Sequence, residues 1–143
     1  MIQQLAITPY FWLALGILSA FVFIRLAQAI GKNEQAPNEH TIYAIGLVTA
    51  ALLYVGFASF NGGTGHWIGV ELVGLALYGG VAIAGKHTPW WLVLGWAAHP
   101  LWDIGLHVFS TGSTFVPQPY ALWCTGFDVL IAIYIAGTQL KAS

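Results

Sequence analysis

His99, Asp103 and His107 follow one another at intervals of four in the stretch WAAHPLWDIGLH, which runs from Trp96 to His107. On an α-helix that spacing drifts by only about 40° per step, so the three side chains share one stripe. Imidazoles and a carboxylate on one stripe can ligate a metal ion through N and O donors, or pass protons along a relay. Adjacent members lie about 6 Å apart along the axis and can share one ion, whereas His99 and His107, about 12 Å apart, cannot. The stripe therefore gives two ligands to one ion, serves two ions, or relays protons. Pro100 removes a helix hydrogen bond and disfavours helical geometry at His99, so a kink or break is expected at His99.

The solvent around this stretch follows from composition. The chain has 143 residues, 58% of them hydrophobic and 6% charged, with a mean hydropathy of +0.75. A soluble domain carries roughly 25% charged residues, so lipid must cover much of this surface. The length allows one domain, 1–143. A formal charge of −1 and four scattered basic residues leave no basic patch for nucleic acid. The single Cys124 excludes an intramolecular disulfide. The opening MIQQLAITPY lacks the positive region of a secretory signal, so the first apolar run reads as a retained span.

About 20 apolar residues are needed to cross the hydrocarbon core, and five segments have them. They run from about Tyr10 to Ile30, Thr41 to Phe60, Trp67 to Gly85, Trp90 to Phe109 and Tyr120 to Leu140. Short polar or glycine-rich loops make neighbouring helices antiparallel. The expected fold is an all-α, polytopic bundle of five transmembrane helices. Five spans put Arg25, Lys32, Lys86 and Lys141 on one side, which the positive-inside rule makes cytoplasmic, with the N-terminus outside. Trp12, Trp67 and Trp123 then fall at outer ends and Trp90 and Trp91 at an inner end, as interfacial anchors do. Gly46 and Ala50 on span two mark a face for close helix approach, and that span reads as scaffold.

In this frame Asp103 and His107 lie in the outer half of span four and His99 near its middle. Glu71 sits about one turn below the outer surface on span three, and Asp128 about two turns down span five. Three carboxylates thus share the outer half of the bundle, with no Lys or Arg beside them. Buried carboxylates without basic partners must be protonated, meet cationic histidines, or bind a cation. The expected metal ligands are His99, Asp103, His107, Glu71 and Asp128, with Glu71 and Asp128 also the candidate catalytic carboxylates. Each has a plainer reading: Asp103 and Asp128 as interhelical hydrogen-bond acceptors, Glu71 as a group reaching interfacial water. His66 is expected at the outer mouth, and His40 and His87 in cytoplasmic loops.

The run GWAAHPLWDIGLH resembles the signature of a family of small bacterial membrane proteins known only as a domain of unknown function. The likeness rests on Trp96, His99, Trp102, Asp103 and His107 and implies no activity. A weaker likeness is to the zinc-dependent membrane hydrolases of the ceramidase and adiponectin-receptor type, which also place histidines and an aspartate on several spans. Those proteins have seven helices and a fuller ligand set, and this chain has neither.

The favoured expectation is an intramembrane site for zinc, iron or manganese, serving a hydrolase or oxidoreductase that acts on a lipid-like or small-molecule substrate. The alternatives are a proton- or cation-coupled carrier built on the same residues, and an accessory subunit whose polar stripe meets a membrane partner or a second copy. The expected location is the cell membrane, as a multi-pass protein of the bacterial inner membrane.

Overall fold

A computed structural model describes residues 2–142, with side chains from Thr8 onward. Met1 and Ser143, the ends of the expected 1–143 domain, lie outside the described residues. The chain forms α1 (Ile2–Gly31), α2 (Glu39–Phe60), α3 (Gly65–Gly85), α4 (Trp90–Trp102) and α5 (Gln118–Ala142). A π-helical turn, Asp103–Val108, continues α4, and a 3-10 turn, Thr111–Thr114, precedes α5. No strand occurs among the described residues.

Local signals set the ends of these elements. Asn38 caps α2, its side chain accepting a hydrogen bond from the Thr41 amide at 2.9 Å. Asn61 and Gly62 end that helix, Gly62 at φ +87, where a side chain would be strained. Asn61 Nδ2 donates to the Phe115 carbonyl at 3.2 Å, tying the α2–α3 turn to the segment before α5.

Four stretches, Thr8–Gly31, Glu39–Phe60, Gly65–Gly85 and Gln118–Ala142, are long and apolar enough to cross a membrane. The α-helical part of α4 has 13 residues. It covers about 20 Å at 1.5 Å per residue, against roughly 30 Å of hydrocarbon, and the π turn carries the chain onward. Exposure is inverted relative to a soluble protein. Tyr10, Leu18, Phe21, Phe60, Leu101 and Ile133 are exposed, whereas Glu71, His99, Asp103, His107 and Asp128 are buried.

The helices follow one another around the bundle as α1, α5, α4, α3, α2, and α1 barely touches α2. The α1–α5 seam is close-packed. A Cβ on Gly16 would collide with the Trp123 carbonyl, and one on Gly126 with the Leu13 carbonyl. Glycine on both sides lets the two backbones approach, and Trp123 Nε1 donates across the seam to Ser19 Oγ at 3.1 Å. At one end of the bundle Gln28 donates to the Tyr134 hydroxyl, and the hydroxyls of Tyr134 and Tyr43 both donate to Glu39 Oε1, each at 2.7 Å. That network joins α1, α5 and α2.

Two expectations need correction. The helix does not break at His99. It runs through Pro100 to Trp102 and changes to π geometry at Asp103, with the Phe109 amide bonding back five residues to Ile104 at 3.0 Å. Proline's missing donor is absorbed within one turn, and the change in winding emerges beyond it. Nor is Gly46 a point of backbone approach. A Cβ there would meet the rings of Trp96 and Phe23, so large side chains hold α2 away from α1.

Gly126→Leu should therefore unseat α1 from α5. The expected loss exceeds the usual overpacking cost of about 1–3 kcal/mol, measured by unfolding in mild detergent. Gly137→Leu, placed where a new Cβ meets nothing, should stay within about 0.5 kcal/mol of the parent.

Candidate metal centre

The five singled-out residues come together as two groups. His99 from the last turn of α4, Asp103 at the start of the π turn and Asp128 from the middle of α5 make the first. His99 Nδ1 lies 2.8 Å from Asp128 Oδ2 and 3.4 Å from Asp103 Oδ2. One ligand atom from each residue falls within 4.8 Å of the other two. All three residues are at most 1% exposed.

The 2.8 Å contact is a hydrogen bond, and one proton occupies it: Nδ1–H donates to a carboxylate, or a protonated Asp128 donates to Nδ1. Beyond it the group is poorly satisfied. Both oxygens of Asp103, and Oδ1 of Asp128, lack a hydrogen bond of good geometry, although His99 and the Tyr54 hydroxyl both lie close to Asp103. Among the described residues the ion pairs of these acids are all with histidines and none with Lys or Arg. Two buried carboxyl groups thus lean on a single imidazole nitrogen.

The second group pairs Glu71 of α3 with His107 of the π turn, Oε1 to Nε2, at 3.3 Å. Trp102 Nε1 donates to the other Glu71 oxygen at 3.3 Å. That indole is held in place by Gly74, where a Cβ would press on the Trp102 ring. His107 lies about two turns on from His99, so the stripe serves two groups: His99 and Asp103 meet Asp128, and His107 meets Glu71.

Tyr54 of α2 stands between the groups. Its ring stacks on His107 with centroids 4.5 Å apart and planes 17° from parallel, and lies 5.6 Å from the His99 ring. Tyr78 of α3 meets the opposite side of His99, edge-on at 4.9 Å. Tyr54, Tyr78, Glu71, His99 and Trp102 line one narrow cleft with no room for a water molecule. Above it Trp67, Phe115 and Tyr120 close the end of the bundle around His107 and Tyr54.

The remaining histidines stay apart from both groups. His66 is exposed at the start of α3, His87 is exposed between α3 and α4, and His40 is half-buried in the first turn of α2. Reading α2 as scaffold missed Tyr54. Only its phenol marked it, and a tyrosine in an apolar span reads as an interfacial or packing residue.

A family model described as "Family of unknown function (DUF6010)" matches residues 12–140. The chain belongs to this family. The matched region of this DUF6010 protein contains every residue of both groups, together with Tyr54 and Trp102. No curated protein and no solved structure matches the chain.

Tyr54 separates ring from hydroxyl as sources of stability. Its hydroxyl faces Asp103 without a hydrogen bond of good geometry, so Tyr54→Phe should cost no more than about 1 kcal/mol. Tyr54→Ala deletes the ring between the two histidines and should cost about 3–5 kcal/mol, read from unfolding midpoints in detergent.

Proposed function

We propose that this DUF6010 chain is a single-domain, five-span membrane protein whose His99, Asp103 and Asp128 hold one divalent transition-metal ion within the bundle. The observation that carries the reading is the buried convergence of one nitrogen and two carboxyl oxygens from α4, the π turn and α5 within 4.8 Å, with carboxylate oxygens that no protein donor satisfies. A cation stabilises such a pair where two negative charges alone would not stay ionised. The spacing suits it. Ligands on a tetrahedral ion with bonds of about 2.0–2.1 Å stand roughly 3.3 Å apart. The His99 separations are 2.8 and 3.4 Å and all three atoms lie within 4.8 Å of one another, so binding needs a small opening of the His99–Asp128 contact and an approach of the two aspartates to about 3.3 Å. One nitrogen and two oxygens suit zinc, iron or manganese, and three protein ligands leave a further position for a reactant.

On this reading the protein is a metal-dependent hydrolase or oxidoreductase acting on a lipid-like substrate, and the ion supplies Lewis acidity when bound. Glu71 is the proton acceptor. It shares a cleft with His99, its Oε1 lacks a hydrogen-bond partner, and Trp102 orients its other oxygen. His107 beside it exchanges that proton. The resemblance to ceramidase-type hydrolases points the same way, through the donor types alone.

The fifth span is α4 with its π turn. The four basic residues lie near the ends of α1, α3 and α5 and in the loops after α1 and α3. The positive-inside rule makes that face cytoplasmic and puts the N-terminus outside, in a cell membrane of the bacterial inner-membrane kind.

A proton- or cation-coupled carrier is the second reading, favoured by the 2.8 Å His99–Asp128 hydrogen bond. Elemental analysis of untagged protein, purified without chelator, separates the two. The expected result is about one equivalent of transition metal, lost at least tenfold in His99→Ala, Asp103→Ala and Asp128→Asn but retained in His107→Ala. A folded, metal-free parent would overturn the metal reading and leave the relay.

A further inference from the structure

A crevice of about 340 Å³ runs between α2 on one side and α1 and α5 on the other, where α1 and α2 barely touch. Its walls include Phe23, Gly46, Ala50, Trp96, Cys124 and Asp128. The volume falls within the range of ligand pockets, about 300–1,000 Å³. The α2 wall extends from Ile42 to Leu53, about 17 Å at 1.5 Å per residue. One leaflet of the hydrocarbon core is about 15 Å deep. The crevice therefore has the length and lining of a slot for one hydrocarbon chain lying along the helices.

Thr49, Tyr120 and Cys124 also stand on the lining, Thr49 spending its hydroxyl on the Ile45 carbonyl. Trp96 Nε1, a donor, and Asp128 Oδ1, an acceptor, are both buried and both lack a hydrogen-bond partner. Asp128 is also a member of the His99 group, bonded to it through its other oxygen. The end of the bundle above that group is closed by packing of Tyr54, Phe115 and Val116 with Trp67 and Tyr120. A reactant arriving along the bundle axis meets aromatic rings. One arriving sideways, through the crevice, meets the wall to which Asp128 and Trp96 contribute, and a small side-chain movement would bring their buried polar atoms to it.

We propose that the crevice binds a single-chain lipid with an uncharged hydroxyl headgroup, the chain lying against α2 and the hydroxyl placed between Trp96 and Asp128. A hydroxyl both accepts from the indole N–H and donates to the carboxyl oxygen, so one group satisfies both. A phosphate headgroup would meet the Asp128 carboxyl with no Lys or Arg on the lining, and an ammonium could not accept from Trp96. The assignment deepens the metal-dependent reading by naming its substrate class, and rests on that reading only for the chemistry that follows binding.

The test uses the parent protein in nanodiscs and a dodecanol probe carrying a photoreactive diazirine on its chain. Labelled peptides are mapped and the metal content of the same samples is measured. Labelling is expected on α2 between residues 42 and 53 and on the facing part of α5, displaced by dodecanol at least tenfold better than by its methyl ether. Ala50→Phe, which fills the slot, should reduce labelling at least tenfold with metal content unchanged. Trp96→Phe should remove the preference for the alcohol while labelling of the crevice persists, with unfolding in detergent followed alongside because the change also deletes indole atoms packed at Gly46. Labelling spread over the whole lipid-facing surface, or equal displacement by alcohol and ether, would overturn the proposal whatever the metal content. Specific labelling of a metal-free protein would uphold the crevice and sink the metal reading.

Discussion

Everything at the centre of this protein depends on two aspartates sharing one histidine nitrogen. In water such a cluster would be trivial, since each carboxylate would be hydrated. At 0–1% exposure, between helices whose outer faces are apolar, hydration is gone and the negative charge must be met locally. His99 meets part of it, with 2.8 Å to one aspartate and 3.4 Å to the other. Breaking such a buried arrangement by deleting one partner costs several kcal/mol. The helices that carry these residues are therefore fixed relative to one another by electrostatics as well as by packing.

A second arrangement lies along the same helix. His107, in the π turn about two turns on from His99, meets Glu71 on α3. The same helix then faces α5 with one histidine and α3 with the other, and the ring of Tyr54 occupies the space between. Two titratable groups stay distinct although they arise from one nine-residue stretch.

Much of this was legible in the sequence, for identifiable reasons. Composition alone implied a lipid-covered bundle. The absence of Lys and Arg near Glu71, Asp103 and Asp128 marked those carboxylates as interior, and all three are buried. The four-residue spacing correctly joined His99 to Asp103. The same spacing put His107 too far from His99 to share its partners, and His107 meets Glu71 instead; Pro100 signals irregularity without saying where it will emerge. Tyr54 escaped for another reason. Its role depends on which face of α2 turns inward, and α2 is apolar all round, so periodicity carries no direction. Gly46 was misjudged because small residues mark a gap without telling whether a backbone or a ring will fill it. Gly16 and Gly126, the true close approach, sit in helices with many other small residues and do not stand out.

The weak contact between α1 and α2 gives the architecture its asymmetry. α1 is fastened to α5 by glycines facing carbonyls, and α2 to α3 along its length, so the bundle is a ring left open at one seam. At one end of the seam the Gln28–Tyr134–Glu39–Tyr43 network bridges it with hydrogen bonds; further along, Phe23 and Trp96 prop it apart at Gly46. Polar fastening at one end and bulky rings further along are what keep a lateral crevice from collapsing. In a bilayer such an opening is filled by hydrocarbon, and at its lining stand a carboxyl oxygen and an indole N–H that no protein group satisfies. Unsatisfied buried polar atoms cost about 1–3 kcal/mol each. The six-membered ring of the Trp96 indole fills the space at Gly46, yet its N–H is left without an acceptor, as Asp128 Oδ1 is left without a donor. Packing accounts for the ring of Trp96 but not for its unpaired N–H, and a bound hydroxyl would satisfy that donor and the Asp128 oxygen together.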